Sequence, residues 1–276
     1  MTITRNIPLP SPRTAGTILA VLLTPVLLET GYLLYLKRTV TRRTVASAGR
    51  RLPAAAAAAA AGKPTADENS KARETIPASV KRPTKLPAAV ADDASQDYVL
   101  AYERLVSHPV AAASLRDGQQ QQLLLTSYVR ATMKAFARTP QSFAIRAAAG
   151  PDARRTFAPA YIDGLAFGPG DRVDGVYTVA YRGSGGPGGR GEERVELMLD
   201  APEGYRGPVV TGMIVAAVEV VPGDAERPEQ VVFVNETWMW RRLDERPTML
   251  EGSLGSWLHS LLAGWLVVKG VEAVTK

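Results

Sequence analysis

The sequence predicts an α+β fold, in which helices pack on a curved antiparallel sheet. Three observations support this class. Apolar residues recur at helical spacing between residues 95 and 138, and the period then falls towards two across six segments, of which the last two are long. A strongly apolar segment closes the chain at 254–268. The six segments are joined by short turns rich in Gly and Pro, and such short connections between consecutive strands favour antiparallel pairing.

Two helices are expected before the sheet. The first covers residues 95–106, because Tyr98, Tyr102 and Leu105 have the spacing of one helix face and His108-Pro109 follows. The second covers 114–138, where Ser114 and Asp117 have the spacing of a capping box. The predicted strands after these helices are 142–147, 160–167, 172–181, 194–199, 209–221 and Gln230–Arg242.

The last predicted strand, Gln230–Arg242, carries the strongest candidate site. Strand alternation places Glu236, Trp238 and Trp240 on one face and residues such as Asn235 and Thr237 on the other. One hypothesis is a ligand pocket whose two indoles bind an apolar substrate, with Glu236 as a desolvated catalytic acid or base. The alternative, which the abundance of nearby arginines favours, is a core strand with Glu236 paired to Arg241, Arg242 or another cation across the sheet.

Neighbouring strands could complete such a pocket. Tyr177 and Tyr181 share one face of their strand and could line the same cavity, and Met213 lies in the apolar segment 209–221. These three residues and the two tryptophans are the predicted substrate-binding set. Glu219 is expected to form a salt bridge at the edge of the sheet.

The closing helix, 254–268, is apolar on nearly all sides. Trp257, Leu261 and Trp265 form one stripe, and the helix is expected to dock on the sheet, with a membrane contact as the alternative. His259 lies on this helix beside a line of small residues. It is the second candidate catalytic residue, as an acid or base, although a single histidine is more often structural.

A transmembrane anchor is predicted at residues 14–36, after an irregular N-terminus at 1–13. The anchor is mostly apolar over 23 residues, with one carboxylate at Glu29. It ends with Tyr32 and Tyr35 and is followed by a cluster of Lys and Arg. The positive flank places the rest of the chain in the cytosol, predicts contact with anionic lipid and suits a single-pass protein of the endoplasmic reticulum. Residues 37–93, which include an alanine run, are predicted to be a disordered linker, so that the folded domain covers 94–276.

Composition and motifs limit the function classes. The chain has no cysteine, and its basic charge is concentrated in residues 37–85, so that residues 86–276 are slightly acidic. This distribution does not suggest nucleic-acid binding. The sequence lacks HExxH and GxSxG motifs, and the glycine-rich segment 183–191 lacks the GK[ST] of a phosphate-binding loop. No metal or cofactor is therefore expected.

Two resemblances extend these inferences. A sheet half-wrapped by helices resembles the cone-shaped NTF2/SnoaL-like plan or a partial lipocalin-like barrel. The anchor, the alanine-rich segment and the C-terminal ETWMWRRLDERPTMLEG…WLHSLLAGWL resemble membrane-anchored proteins of filamentous fungi, some of them encoded in gene clusters for specialised metabolites. That resemblance implies an accessory cyclase or isomerase for an apolar polyketide-type intermediate, working beside partner biosynthetic enzymes. The alternative is a non-enzymatic membrane adaptor that docks a partner through its Trp-rich C-terminal helix.

Overall fold

The fold is α+β, built on one open antiparallel sheet of eight strands. The structure, a computed structural model, describes residues 31–53, 76, 80–92, 97–116, 121–184, 192–223 and 229–276, without the side chains of 121 and 122. The chain divides into two units, Met1–Arg42 and Arg43–Lys276. In the first unit, residues from 31 onwards are helical, with Tyr32 and Tyr35 exposed. The predicted segments 1–13 and most of 14–36 lie outside the described residues.

The sheet order is β1-β2-β8-β7-β6-β5-β4, with the short β3 also paired to β8. Every pairing is antiparallel. The strands are β1 (Thr44–Arg51), β2 (Tyr98–Ser107), β3 (Val110–Ala111), β4 (Arg172–Val173), β5 (Tyr177–Ser184), β6 (Glu192–Leu199), β7 (Gly212–Val221) and β8 (Gln230–Arg242). The helices are α1 (Ala88–Ala91), α2 (Gln121–Phe136), α3 (Pro140–Ala148), α4 (Pro151–Arg155), α5 (Pro159–Gly164) and α6 (Ser253–Val274), with 3₁₀ turns at Ala112–Ser114 and Met249–Glu251.

The main core lies between one face of the sheet and helices α2 and α6. We call this the helix face; on β8 it carries Phe233, Asn235, Thr237 and Met239. Tyr128 of α2 is fully buried there, with its ring centroid 5.0 Å from that of Phe233. Helix α6 packs against both α2 and β2. The predicted alternation along β8 and the predicted closing helix are thus confirmed.

The opposite face of the sheet is covered by residues 80–92, which we call the cover segment. Its Leu86 and Val90 pack on the apolar side chains of this face. The backbone N–H groups of Thr84 and Lys85 donate to the buried Glu196 carboxylate at 2.7 and 2.8 Å. Because these N–H groups are turned towards the core, they need buried partners, and the Glu196 carboxylate of the sheet supplies them.

The expected boundaries of the domain are corrected by β1 and the cover segment. Residues 37–93 are predicted to be a linker and the domain is expected to start at 94, whereas Thr44–Arg51 form the edge strand β1, paired along its length with β2. An edge strand is paired on one side only and needs little apolar content, so its composition resembles that of a linker.

The predicted helix at 95–106 is wrong, because Tyr98–Ser107 form the strand β2. The stripe of Tyr98, Tyr102 and Leu105 fits a helix, but the segment is buried on both sides and hydrogen-bonded between β1 and β8. The sequence of a short apolar segment that is buried on both faces is compatible with the helical period of about 3.6 residues and with the strand period of two.

The predicted strands at 142–147 and 160–167 are also wrong, since α3 and α5 occupy these positions. Both helices carry proline in their first turn. Thr139 caps α3 by accepting a hydrogen bond from the backbone N–H of Ser142 at 3.2 Å. Threonine followed by proline is a helix-start signal, because the proline has no N–H that would go unsatisfied there.

The predicted strand 172–181 is interrupted by a tight turn between β4 and β5. Asp174 and Gly175 have φ values of 46° and 77°, as the Asp-Gly pair of a hairpin turn requires. The Asp174 side chain is fully buried, and neither carboxylate oxygen has a hydrogen-bond partner among the described residues. Burial raises the pKa of Asp174 well above its ordinary value.

Asp174→Asn is therefore expected to stabilise the chain at neutral pH by at least about 1 kcal/mol, because the amide cannot ionise and so avoids the free-energy cost of burying a carboxylate, which exceeds that of a neutral polar group. Because the folded-state pKa is raised, the wild type loses stability as pH rises above the unfolded-state pKa of about 3.9. The gain should thus be present at pH 8 and shrink at pH 4 in urea unfolding. Asp152→Asn, at an exposed aspartate, is the control and should change nothing; a gain independent of pH would contradict the prediction.

Candidate functional site

A cavity of about 380 Å³ lies between the helix face of the sheet and helices α2, α3 and α6. Its wall is largely apolar, with Met133, Phe136, Ile145, Ile214, Leu262 and Leu266 among its members. The cavity has its mouth beside Val209, Val210 and Met249, because these three side chains line the cavity and are also exposed. A cavity of this size and lining suits a small apolar molecule.

Helix α6 contributes one face to the cavity wall. His259, Leu262, Ala263 and Leu266 have the i, i+3, i+4, i+7 spacing of a single helix side, and all four line the cavity. The same helix is 22 residues long and is the one helix in the described part of the chain whose length and composition would permit a membrane span. Helices that pack in a protein core can have the same length and apolar composition, and α6 packs on α2 and β2.

A carboxylate, an imidazole and a hydroxyl form a chain at this wall. His259 donates from Nδ1 to a carboxylate oxygen of Glu103, which is 3% exposed. The other carboxylate oxygen of Glu103 accepts a hydrogen bond from the Ser260 hydroxyl. On the opposite side of the ring, His259 Nε2 lies 3.4 Å from Thr237 Oγ1.

Strand register explains why these groups meet. Glu103 of β2 lies directly opposite Thr237 of β8, and both side chains point to the helix face, onto which α6 brings His259. A carboxylate that binds Nδ1 holds the ring in one orientation and leaves Nε2 able to accept a proton. The arrangement is that of a positioned acid/base group at the edge of an apolar cavity.

Two further polar side chains line the cavity without a hydrogen bond to any residue in the described ranges. Asn235 is 5% exposed and lies two residues before Thr237 on the same face of β8. Tyr177 of β5 is equally buried, and burial raises the pKa of its phenol, which stays neutral. Buried polar groups normally have partners, so both side chains are available to a ligand.

Glu236, Trp238, Trp240 and Met213 lie on the other face of the sheet, beneath the cover segment. Trp238 is fully buried, with its ring centroid 4.4 Å from that of Tyr102. This corrects the expected geometry, in which Glu236 and the two tryptophans line one pocket with Tyr177 and Tyr181. Side chains of the core fill the space beside these residues, whereas the cavity lies on the opposite side of β8.

The cation that pairs with Glu236 is Arg104 of β2, directly opposite in the strand register. Glu236 also accepts a hydrogen bond from Trp238 Nε1 at 3.0 Å. Burial raises the pKa of Glu236, against the opposing effects of this indole N–H and of Arg104. The alternative expectation, a core strand with Glu236 paired across the sheet, is confirmed, as is the expected salt bridge of Glu219, which binds Arg104 at 2.7 Å.

Tyr181 is separated from Tyr177 by a β-bulge. Val179 lies opposite Leu197, but Tyr181 lies opposite Glu196, so the pairing shifts by one residue between them. A shift of one residue moves a side chain to the other face of a sheet. Tyr181 therefore does not line the cavity, and its hydroxyl lies 3.5 Å from the Ser184 carbonyl oxygen.

Of the predicted site residues, the structure brings His259 and Tyr177 to the same cavity. Asn235 and Thr237, which also line the cavity, and Glu103, which binds His259 from behind the wall, were not predicted as site residues. Within the described ranges, no group of three or more His, Asp and Glu side chains is arranged to hold a metal ion. Comparison of the chain with protein-family models, curated proteins and solved structures finds no match.

Proposed function

We propose that the protein binds an apolar, polyketide-type molecule in the cavity and helps to isomerise or cyclise it by proton transfer, without a cofactor. The observation that carries this proposal is the His259–Glu103 pair at the wall of an apolar cavity. His259 takes the role of acid and base, and Glu103 positions its ring. Such a site accelerates reaction by orienting the substrate and supplying one proton-transfer group.

The proposal includes a membrane location. Residues 14–36 anchor the chain with anionic lipid at the basic flank, and the domain faces the cytosol as an accessory protein of fungal specialised metabolism, beside partner enzymes in the endoplasmic reticulum. Only residues 37–43 separate this anchor from β1 in the sequence, since β1 begins at Thr44. We also propose that the sheet and its helices follow the cone-like NTF2/SnoaL plan in preference to the lipocalin-like one.

His259→Gln is expected to lower proton transfer at least 100-fold, because a positioned acid/base group contributes about 10²–10⁴. The probe is 2-tetralone, an apolar ketone whose exchange of the C1 protons in D₂O is followed by NMR. Glu103→Gln should also lower the rate, because the His259 ring then loses the carboxylate that fixes its orientation and leaves Nε2 free to accept the proton.

His108→Gln is the matched control for this experiment. His108 is the other histidine of the chain and is exposed, so its replacement should leave the exchange rate unchanged. Exchange that is equally fast in wild type and His259→Gln would contradict the proposed catalytic role. If the wild type binds the ketone saturably but does not catalyse its exchange, the protein binds such molecules without acting as an enzyme on them.

One observation favours the adaptor as a second candidate. Leu254, Trp257 and Leu258 are exposed along the N-terminal half of α6, where a partner could dock, although Leu261 of the expected stripe is buried. Trp257→Ala would then abolish assembly with a partner while leaving ketone exchange intact. Loss of exchange without loss of assembly in His259→Gln would instead favour the enzyme.

A further inference from the structure

We infer that the cavity recognises a carbonyl oxygen of its apolar ligand through the side-chain amide of Asn235. This inference rests on the proposed function and specifies its substrate class: an apolar ketone or enone with a C–H bond next to the carbonyl. Three observations support it, namely the burial of Asn235, its lack of a hydrogen-bond partner among the described residues, and its position in the cavity wall two residues from Thr237, which lies beside His259.

Asn235 is almost completely buried, yet its amide has no hydrogen bond to any residue in the described part of the chain. Two other polar groups of the wall are engaged, since Thr132 donates its hydroxyl to the Val129 carbonyl and Thr237 lies beside His259. An amide that is buried without a partner costs free energy. A bound carbonyl oxygen that accepts from Asn235 Nδ2 removes this cost.

The position of Asn235 on β8 determines how far a bound carbonyl oxygen lies from His259, the proposed base. Asn235 and Thr237 are two residues apart on one strand face, which separates their Cα atoms by about 7 Å. Thr237 Oγ1 is in turn 3.4 Å from His259 Nε2. A ketone whose oxygen lies at Asn235 can therefore place its α-carbon near His259, since the two groups are about one small molecule apart.

The resulting step is balanced without a further reactant. The α-C–H bond breaks and its proton passes to His259 Nε2, while the electron pair forms the enolate C=C bond and the carbonyl electrons move onto oxygen. Asn235 Nδ2 donates to this oxygen as its charge develops. Return of the proton to the same carbon gives exchange, and its return to a conjugated γ-carbon gives isomerisation.

The test compares two ligands of nearly the same shape, 2-tetralone and 2-methylidenetetralin, in which C=CH₂ replaces C=O. Their affinities for the full-length protein in detergent are measured by quenching of tryptophan fluorescence or by calorimetry. In Asn235→Leu, we expect the ratio of ketone affinity to hydrocarbon affinity to fall at least tenfold, through loss of one hydrogen bond. Exchange of the ketone should fall by about 10²–10³, as for one oxyanion donor.

Asn235→Asp is the second variant, because it keeps the shape of the side chain and leaves it without a donor when ionised. It should lose the ketone preference and the exchange at a pH at which the carboxyl group is ionised, and keep part of both at a lower pH, since a protonated carboxyl group still donates. Thr132→Val is the matched control: this threonine lines the same cavity, but its hydroxyl already donates to the Val129 carbonyl, so the affinity ratio should not change.

The outcomes separate this inference from the proposed function. An unchanged affinity ratio in Asn235→Leu, with exchange that still depends on His259, overturns the role of Asn235 and leaves the acid/base function standing. Exchange that is independent of His259, with a ratio that falls in Asn235→Leu, overturns the acid/base function and leaves carbonyl recognition standing. Failure of wild type to bind either ligand overturns both.

Discussion

Arg104→Met is expected to lower the free energy of unfolding by about 3–5 kcal/mol at pH 7, the usual cost of leaving one charge of a buried pair without its partner. The Arg104 guanidinium binds Glu236 with one nitrogen and both oxygens of Glu219 with the other, at 2.7 and 2.9 Å. Glu236 is 3% exposed and cannot be rehydrated once Arg104 is lost, whereas Glu219 lies nearer to solvent.

The loss in Arg104→Met should depend on pH. Burial already raises the pKa of Glu236 in the wild type, and removal of the guanidinium raises it further. A raised folded-state pKa destabilises the fold as pH rises above the unfolded-state value of about 4.3, so the deficit should shrink near pH 4. Urea unfolding at pH 4 and pH 7 measures this difference.

Two further variants test the cause of this loss. Arg104→Met combined with Glu236→Gln should recover part of the loss at pH 7, because no buried carboxylate then remains unpaired. Arg155→Met is the control, since Arg155 pairs with Asp152 at the surface and its loss should cost at most about 0.5 kcal/mol. A cost for Arg104→Met as small as that for Arg155→Met would show that the buried network does not stabilise the fold.

Gly270→Ala is expected to destabilise the chain by about 1–3 kcal/mol through overpacking. A Cβ at this position would lie 2.3 Å from Tyr128 Cε2 and 2.8 Å from Thr132 Cγ2, so α6 and α2 would have to separate. Tyr128 is fully buried and has no space into which to move. The loss should appear even though alanine is favoured over glycine in a helix by about 1 kcal/mol.

Gly164→Ala is the matched control for Gly270→Ala. Gly164 is also helical, and no heavy atom lies within 4 Å of the position of its added Cβ. This variant should be neutral or slightly stabilised in thermal unfolding. Equal stability of the two variants would show that α2 and α6 tolerate a larger separation than their contact suggests.

Much of the sheet could be predicted, since β6, β7 and β8 are rich in apolar and β-branched residues and end at turn residues. The prediction of β8 as Gln230–Arg242 matches the structure at both ends. Segments with mixed signals could not be assigned. Residues 98–107 fit both periods, and pairing with two neighbouring strands decided between them.

The candidate site was predictable only in part, because its residues meet through strand pairing. His259 and Tyr177 were selected as a lone titratable group and an aromatic side chain. Glu103 could not be matched to His259 while its segment was assigned to a helix, and the two are 156 residues apart in sequence. The alternation along β8 separated Asn235 from Glu236 correctly, but it did not reveal which face borders a cavity.

The sequence by itself determined the fold class, the long terminal strand, the two-sided pattern of β8 and the apolar closing helix, because all of these depend on local periodicity and turn chemistry. Only the tertiary structure decided that the cover segment packs on the face of the sheet that carries Trp238 and Trp240. On the helix face, α2, α3 and α6 leave space for the cavity. The physical reason is that a cavity depends on how separate elements pack, and packing between distant segments leaves no periodic signal in either of them.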